Sequence, residues 1–209
     1  MTIDLGRPPG VGLRWVLIRH GEPEASAKGR CYGKLDVGLS DSGRAQMARV
    51  VEAFKASTTT LDAVYTSPRR RAREGAEMLS GDGEISVDRR LSEINFGELE
   101  GLTYDEAAEQ FPDLYQRWMR EPTEVKFPGG ESFAEMKQRV LDAISVIRDA
   151  HSQQTIAIVS HGGVNRIVLA EALGIEARRI FHLDQSHAGV SIVDDFDDYS
   201  VVRLMNGTC

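Results

Sequence analysis

The sequence predicts an α/β protein, a three-layer α/β/α sandwich with a mainly parallel central sheet and an antiparallel edge. Three observations carry this. Apolar runs at residues 15–18, 61–66 and 155–160 have the length of buried strands, and helical patterns follow each of them along the chain. Two of these strands end on the same pair of residues, His20-Gly21 and His161-Gly162. Residues 189–194 and 199–205 then read as two strands joined across Asp195-Phe196-Asp197-Asp198, which supply the antiparallel edge.

With 209 residues and 41% hydrophobic content, the chain can bury one sizeable core, and no Pro/Gly/Ser-rich linker divides it. A single domain over 1–209 is expected. Pro8-Pro9-Gly10 makes residues 1–13 an extended or mobile tail, and residues 98–130 form a helical cap.

The elements follow in order. Trp15 to Ile18 is a strand that stops on Arg19 and His20, and Gly21 permits a turn that presents them at the carboxyl end of the strand, where open α/β sheets bind ligands. A helix over 42–56 follows, capped by Ser40 or Asp41. The strand over 61–66 closes on Ser67-Pro68, with the proline at a helix start and Arg69, Arg70, Arg71 and Arg73 in the first turns. Arginines there oppose the helix dipole unless an anion arrives, and successive helical residues point about 100° apart, so only one or two of the four can face one site.

Residues 90–101 are a loop with three carboxylates. Glu93 lies between apolar neighbours, Leu91 and Ile94, and is expected to be desolvated with a raised pKa suited to proton donation; Glu98 and Glu100 read as charges in water. Residues 104–111 and 113–121 look helical, and Tyr115, Trp118 and Met119 offer apolar contacts, Trp118 chiefly as an anchor of the cap. A longer helix over 131–150 carries Phe133, Met136, Val140, Ile144 and Ile147 on one face. After the strand over 155–160, backbone amides following Gly162 and Gly163 are placed to bind phosphate oxygens, with His161 as a further donor.

These pieces together resemble the histidine phosphatases of the phosphoglycerate mutase-like branch. The matching motifs are Ile18-Arg19-His20-Gly21-Glu22, Ser67-Pro68 with Arg71-Ala72, and Leu91-Ser92-Glu93 with Phe96-Gly97 and Glu100-Gly101. Pro128-Gly129-Gly130-Glu131-Ser132 and Ser160-His161-Gly162-Gly163-Val164 complete the set, in the order of the family and within residues 14–170. The resemblance implies that His20 is the phosphorylated nucleophile, Arg19 and Arg71 the phosphate-binding arginines, Glu93 the proton donor and His161 the second histidine. Arg70 is the alternative to Arg71.

The implied activity is metal-independent hydrolysis of a small phosphate ester through a phosphohistidine. A phosphoglycerate mutase-type transfer is disfavoured, because Ile94-Asn95-Phe96 stands where mutases carry a basic pair and the long basic insertion is missing. Residues 29–39, with Cys31-Tyr32-Gly33 and Asp36-Val37, resemble α-ribazole phosphatases and their broad-specificity relatives. Tyr32 would border a ring beside the phosphate, while Asp36 fixes the turn into the next helix. A module that binds a phosphorylated ligand without turnover is the competing class.

The remaining features bound the partners. A balance of 25 basic against 32 acidic residues argues against a nucleic-acid partner, so a small phosphate ester must be drawn by locally focused arginines. No membrane partner, signal segment or cofactor is expected, a homodimer is left open, and two cysteines, Cys31 and Cys209, fit a cytoplasmic enzyme. The five histidines show no metal-ligand spacing; His151 and His182 read as structural or surface residues, and His187 as a neighbour of the pocket.

Overall fold

The computed structural model describes residues 6–209. Six strands form one sheet: β1 (Leu13–Arg19), β2 (Ala63–Thr66), β3 (Ile85–Val87), β4 (Gln154–Ser160), β5 (Val190–Asp195) and β6 (Ser200–Gly207), in the spatial order β3-β2-β4-β1-β5-β6. β1 to β4 run parallel, and β5 and β6 complete the sheet antiparallel at one edge. The expected sandwich is therefore present, with β3 as a strand that the sequence pattern does not reveal.

Side chains that alternate along the strands build two cores. Leu13, Trp15 and Leu17 of β1 and Ile156 and Ile158 of β4 pack on one face against α5 (Phe133–Ala150) and α6 (Gly162–Leu173). Val16, Ile18, Ala157 and Val159 point the other way, onto α1 (Asp41–Lys55) and α2 (Arg70–Ser80). The apolar face foreseen on the long helix, Phe133, Met136, Val140, Ile144 and Ile147, is buried throughout. Ser40 caps α1 by accepting from the Gly43 amide, and Ser132 and Glu135 close a capping box on α5.

Above the carboxyl ends of the parallel strands, α3 (Tyr104–Gln110) and α4 (Pro112–Arg120) form a third cluster, in which Leu99, Ala107, Val125 and Phe127 pack with Cys31. Trp118 meets Phe96, Tyr104, Tyr115 and Phe127 ring to ring at centroid distances of 5.2 to 6.1 Å.

Two expectations need correction. Leu13 already belongs to β1, Val11 is buried, and the Gly12 amide donates to Asp195 O at 2.8 Å, so the segment read as a tail is tied to the sheet from Gly6 onward; residues 1–5 lie outside the described residues. Pro68 does not open α2: Arg69 is its N-cap, and the helix begins at Arg70. Among the described residues no helix is long and apolar enough to cross a membrane.

Candidate active site

Strand register assembles the site. Arg19 pairs with Ser160 and Thr66 with Val159, so the residues that follow, His20, His161 and Ser67, emerge together at the carboxyl ends of three adjacent strands. The rings of His20 and His161 lie 5.3 Å apart, edge to face. Gly21 is required by close approach: a Cβ there would stand 2.3 Å from the Gly43 carbonyl oxygen, so the glycine admits the α1 amino end against the strand.

His20 is buried, and its Nδ1 donates to the carbonyl of Gly21 at 2.7 Å. A carbonyl only accepts, so the proton sits on Nδ1 and the lone pair on Nε2. Burial, followed by the charges of Arg71 and Arg19, holds the imidazole well below its usual pKa and keeps it neutral. Burial and the same two arginines also lower His161, whose Nε2 is hydrogen-bonded to Ser67 Oγ at 2.8 Å while Nδ1 has no partner. His161 is fully buried and is not among the cavity walls.

The arginine run divides sharply. Arg71 is buried, donating from Nε to His20 Nε2 at 3.2 Å, from Nη1 to Leu35 O at 2.9 Å and from Nη2 to Tyr32 O at 2.9 Å. Arg70 and Arg73 are exposed and face Glu24, Glu74 and Glu77 at 3.4 to 3.7 Å. The anion that relieves a basic helix start is Asp36, whose carboxylate accepts from the Arg70 amide at 2.8 Å; it caps α2 rather than fixing the turn into α1.

Arg19 donates from Nη1 to Gln185 O and from Nη2 to the Tyr32 hydroxyl at 3.4 Å, leaving its buried Nε without a partner. Tyr32 stands edge-on to His20 and lies under the Arg71 guanidinium, 5.0 Å from ring centroid to Cζ. His187 comes within 5.6 Å of the His20 ring, and burial, with Arg19 second, lowers its pKa to about 4. His151 is structural, bonded to Tyr65 and Gln154.

Glu93 reaches the same space from the loop before the cap. Its carboxylate accepts from the Ile94 amide at 2.9 Å and the Gly163 amide at 3.1 Å. The amide of Gly163 is thus committed to Glu93 and does not form part of an anion nest, contrary to the reading from sequence. Arg139 of α5 holds the loop by donating to the carbonyls of Arg90, Ser92 and Glu93 at 2.7 to 3.1 Å. Glu100 is likewise no solvated charge: it accepts from the amides of Lys34, Leu35 and Phe96 and joins the Tyr32 loop to the cap.

A cavity of about 270 Å³ opens above these groups, with Arg19, His20, Tyr32, Arg71 and Glu93 in its floor and walls and Phe96, Tyr104, Trp118, Phe127 and Phe181 closing it. Trp118 therefore serves the cavity as well as the cap. Arg166 and Arg30 also line it, and reading by motif missed both. Helical spacing held the signal for Arg166, which lies one turn after Gly162 and Gly163 and so faces the same way. Buried nucleophile candidate, flanking guanidiniums and carboxylate thus converge on one aromatic-walled space suited to a phosphate ester.

The profile of the Histidine phosphatase superfamily (branch 1) matches residues 15–208. Phosphoserine phosphatase 1 of Hydrogenobacter thermophilus is 31% identical over 201 residues, covering 94% of this chain and 93% of that protein. The solved structure of Bacillus stearothermophilus YhfR superposes with a TM-score of 0.88 at 29% identity, over 94% of this chain and 98% of that one. The α-ribazole phosphatase of Shigella flexneri gives 0.84 at 26% identity, over 93% and 96%. With these motifs in one cavity and the match running from β1 to the end of β6, the chain belongs to branch 1 of the histidine phosphatase superfamily and is a phosphatase of that family.

Proposed function

We propose that this phosphatase is metal-independent and hydrolyses a small phosphomonoester through a phosphohistidine formed on Nε2 of His20. The observation that carries the reading is the hydrogen bond from His20 Nδ1 to Gly21 O at 2.7 Å, which fixes the tautomer with a lone pair on Nε2. In this reading Nε2 attacks phosphorus in line with the departing oxygen, and Arg71 Nε moves from the imidazole to a phosphoryl oxygen. Arg19 and Arg71 offset charge on the equatorial oxygens, and His161, held by Ser67, backs the His20 ring at 5.3 Å. Glu93 gives its proton to the leaving alkoxide as the P–O bond breaks. Water, deprotonated by the resulting carboxylate, then attacks the phosphohistidine, and inorganic phosphate leaves with His20 and Glu93 restored.

The aromatic walls, Phe96, Tyr104, Trp118 and Phe127, offer apolar contact to part of the leaving group, and α-ribazole 5′-phosphate, which the resemblance of residues 29–39 suggests, is one small ester to be compared with carboxylate-bearing ones. The test is phosphate release by chelator-treated native protein and His20→Ala on a panel containing α-ribazole 5′-phosphate, O-phosphoserine, 3-phosphoglycerate and p-nitrophenyl phosphate. Release that needs His20 and survives chelation supports the reading. Release that survives His20→Ala overturns it, transfer of the phosphoryl group to a second ester moves the chain to mutase-type chemistry, and saturable binding without release makes it a sensor.

A further inference from the structure

The cavity holds more positive charge than the proposed chemistry uses. Four guanidiniums, those of Arg19, Arg30, Arg71 and Arg166, line it against a single carboxylate, Glu93. Of these, Arg19 and Arg71 enter the proposed chemistry and Arg30 has Glu106 at 3.5 Å, so the guanidinium that neither the chemistry nor an ion pair takes up is that of Arg166. In a chain of formal charge −7 this local excess is a built feature rather than a general surface property.

The four arginines differ in what they have left to offer. All three guanidinium nitrogens of Arg71 are committed to His20 and to carbonyls of the Tyr32 loop. Arg30 donates to Gly101 O at 2.7 Å and faces Glu106 at 3.5 Å. Arg19 is held by Gln185 and Tyr32 through its terminal nitrogens. Arg166 is anchored only through Nε, which donates to Leu183 O at 2.8 Å; among the described residues neither terminal nitrogen has a protein partner.

The head of Arg166 is nevertheless fixed in place. Its Cζ lies 5.6 Å from the Phe181 ring centroid, and a Cβ at Gly162 would stand 3.0 Å from its Nη1 and 3.6 Å from Nε of Arg19. Two guanidiniums therefore converge over Gly162, presenting the unpartnered Nε of Arg19 and the free fork of Arg166 on one side. Glu93 and Asp184 act on Arg166 only through their fields, and Asp184 is itself bonded to Asn206 Nδ2 at 2.7 Å. A planar fork held without a counter-ion in a cavity wall suits a carboxylate, which it binds through two parallel hydrogen bonds.

We propose that Arg166 binds a carboxylate of the leaving group, so that the preferred substrates are phosphorylated hydroxy acids whose carboxylate lies close to the ester-bearing carbon. The proposal rests on the phosphatase reading above and adds to it the identity of the specificity residue and the chemical class it selects.

The test compares kcat/KM for 3-phosphoglycerate and glycerol 3-phosphate, which share a carbon skeleton and differ only in carboxylate against hydroxymethyl. The native enzyme should favour the carboxylated ester at least about tenfold, the scale of one charge-assisted hydrogen-bond pair. In Arg166→Met that ratio should fall to about one, mainly through KM, and in Arg166→Lys it should fall to an intermediate value because the fork is lost while the charge stays. A ratio that is the same in the native enzyme and in either folded variant overturns the assignment of Arg166 while leaving His20-dependent turnover intact. Absence of His20-dependent turnover on both esters overturns the underlying reading as well.

Discussion

Nε of Arg71 donates to Nε2 of His20 at 3.2 Å, while Nδ1 of the same ring donates to Gly21 O at 2.7 Å. The imidazole is thus held from both sides in one tautomer, with its attacking lone pair directed at a cation. The cation does two things at once: it disfavours protonation of the ring, and it stands where a phosphoryl oxygen would arrive.

The pH profile should show the first effect. Neutral His20 is the active form, and burial together with Arg71 and Arg19 lowers its pKa, so the acid limb of kcat/KM in the native enzyme should lie below pH 6.5. In Arg71→Gln one of the lowering charges is gone, protonation becomes easier and the limb should move to higher pH. The plateau should drop by about 10²–10³-fold for loss of a charge-stabilising donor. A plateau loss with an unmoved limb would show that Arg71 does not govern the protonation of His20.

Gly163 makes room for Glu93. A Cβ on Gly163 would stand 2.3 Å from Glu93 Oε1 and 2.9 Å from Met136 Cε, so Gly163→Ala must displace the carboxylate from the Gly163 amide that holds it. Turnover of an alkyl ester such as β-glycerol phosphate should fall about 10²-fold, the usual contribution of a positioned acid. p-Nitrophenyl phosphate, whose leaving group needs no proton, should lose much less. Equal losses on both esters would argue against a proton-donor role for Glu93.

Glu100 connects the loop that anchors Arg71 to the cap through three backbone amides. Glu100→Ala leaves those amides unpaired and should cost about 2 kcal/mol, lowering Tm by about 4–8 °C for a chain of this size. Thermal melts of the two proteins decide it, and a shift below about 1 °C would mean the amides are satisfied by solvent instead.

Much of this site is legible in the chain because local pattern and tertiary placement coincide. The two strands ending in His20 and His161 read as strands from their apolar runs, and Arg71 is chosen over Arg70 by its place before Ala72 in the family motif, helical geometry alone admitting either. β3 is illegible: three residues, two of them exposed, at the edge of the sheet carry no periodicity. Glu100 reads as a solvated charge and Asp36 as a turn residue because their partners are backbone amides distant in sequence or on another element, which composition does not record. The tie between His161 and Ser67 likewise depends on β2 lying beside β4, a matter of strand order. Arg166 was readable in principle from its spacing to Gly162, but only with its helix already placed over the cavity.

Acid stability should reveal the buried histidines. His187 has a folded pKa of about 4, against its ordinary 6.5, and burial lowers His20 and His161 in the same direction. Below pH 6.5 the unfolded chain binds protons that the folded chain refuses, so the stability present above that pH is lost as pH falls toward about 4. Denaturant midpoints measured across this window should decline, and His187→Gln should decline less steeply. Parallel slopes for the two proteins would contradict a desolvated His187 beside His20.

The central claim is tested most directly by quenching the enzyme during turnover of p-nitrophenyl phosphate and mapping any covalent phosphate by mass spectrometry under alkaline conditions, which preserve phosphohistidine. An acid-labile phosphoryl group should accumulate on His20 within the first turnover and be missing in His20→Ala. A phosphoryl group on any other residue, or steady release of phosphate by His20→Ala at the native rate, would contradict it.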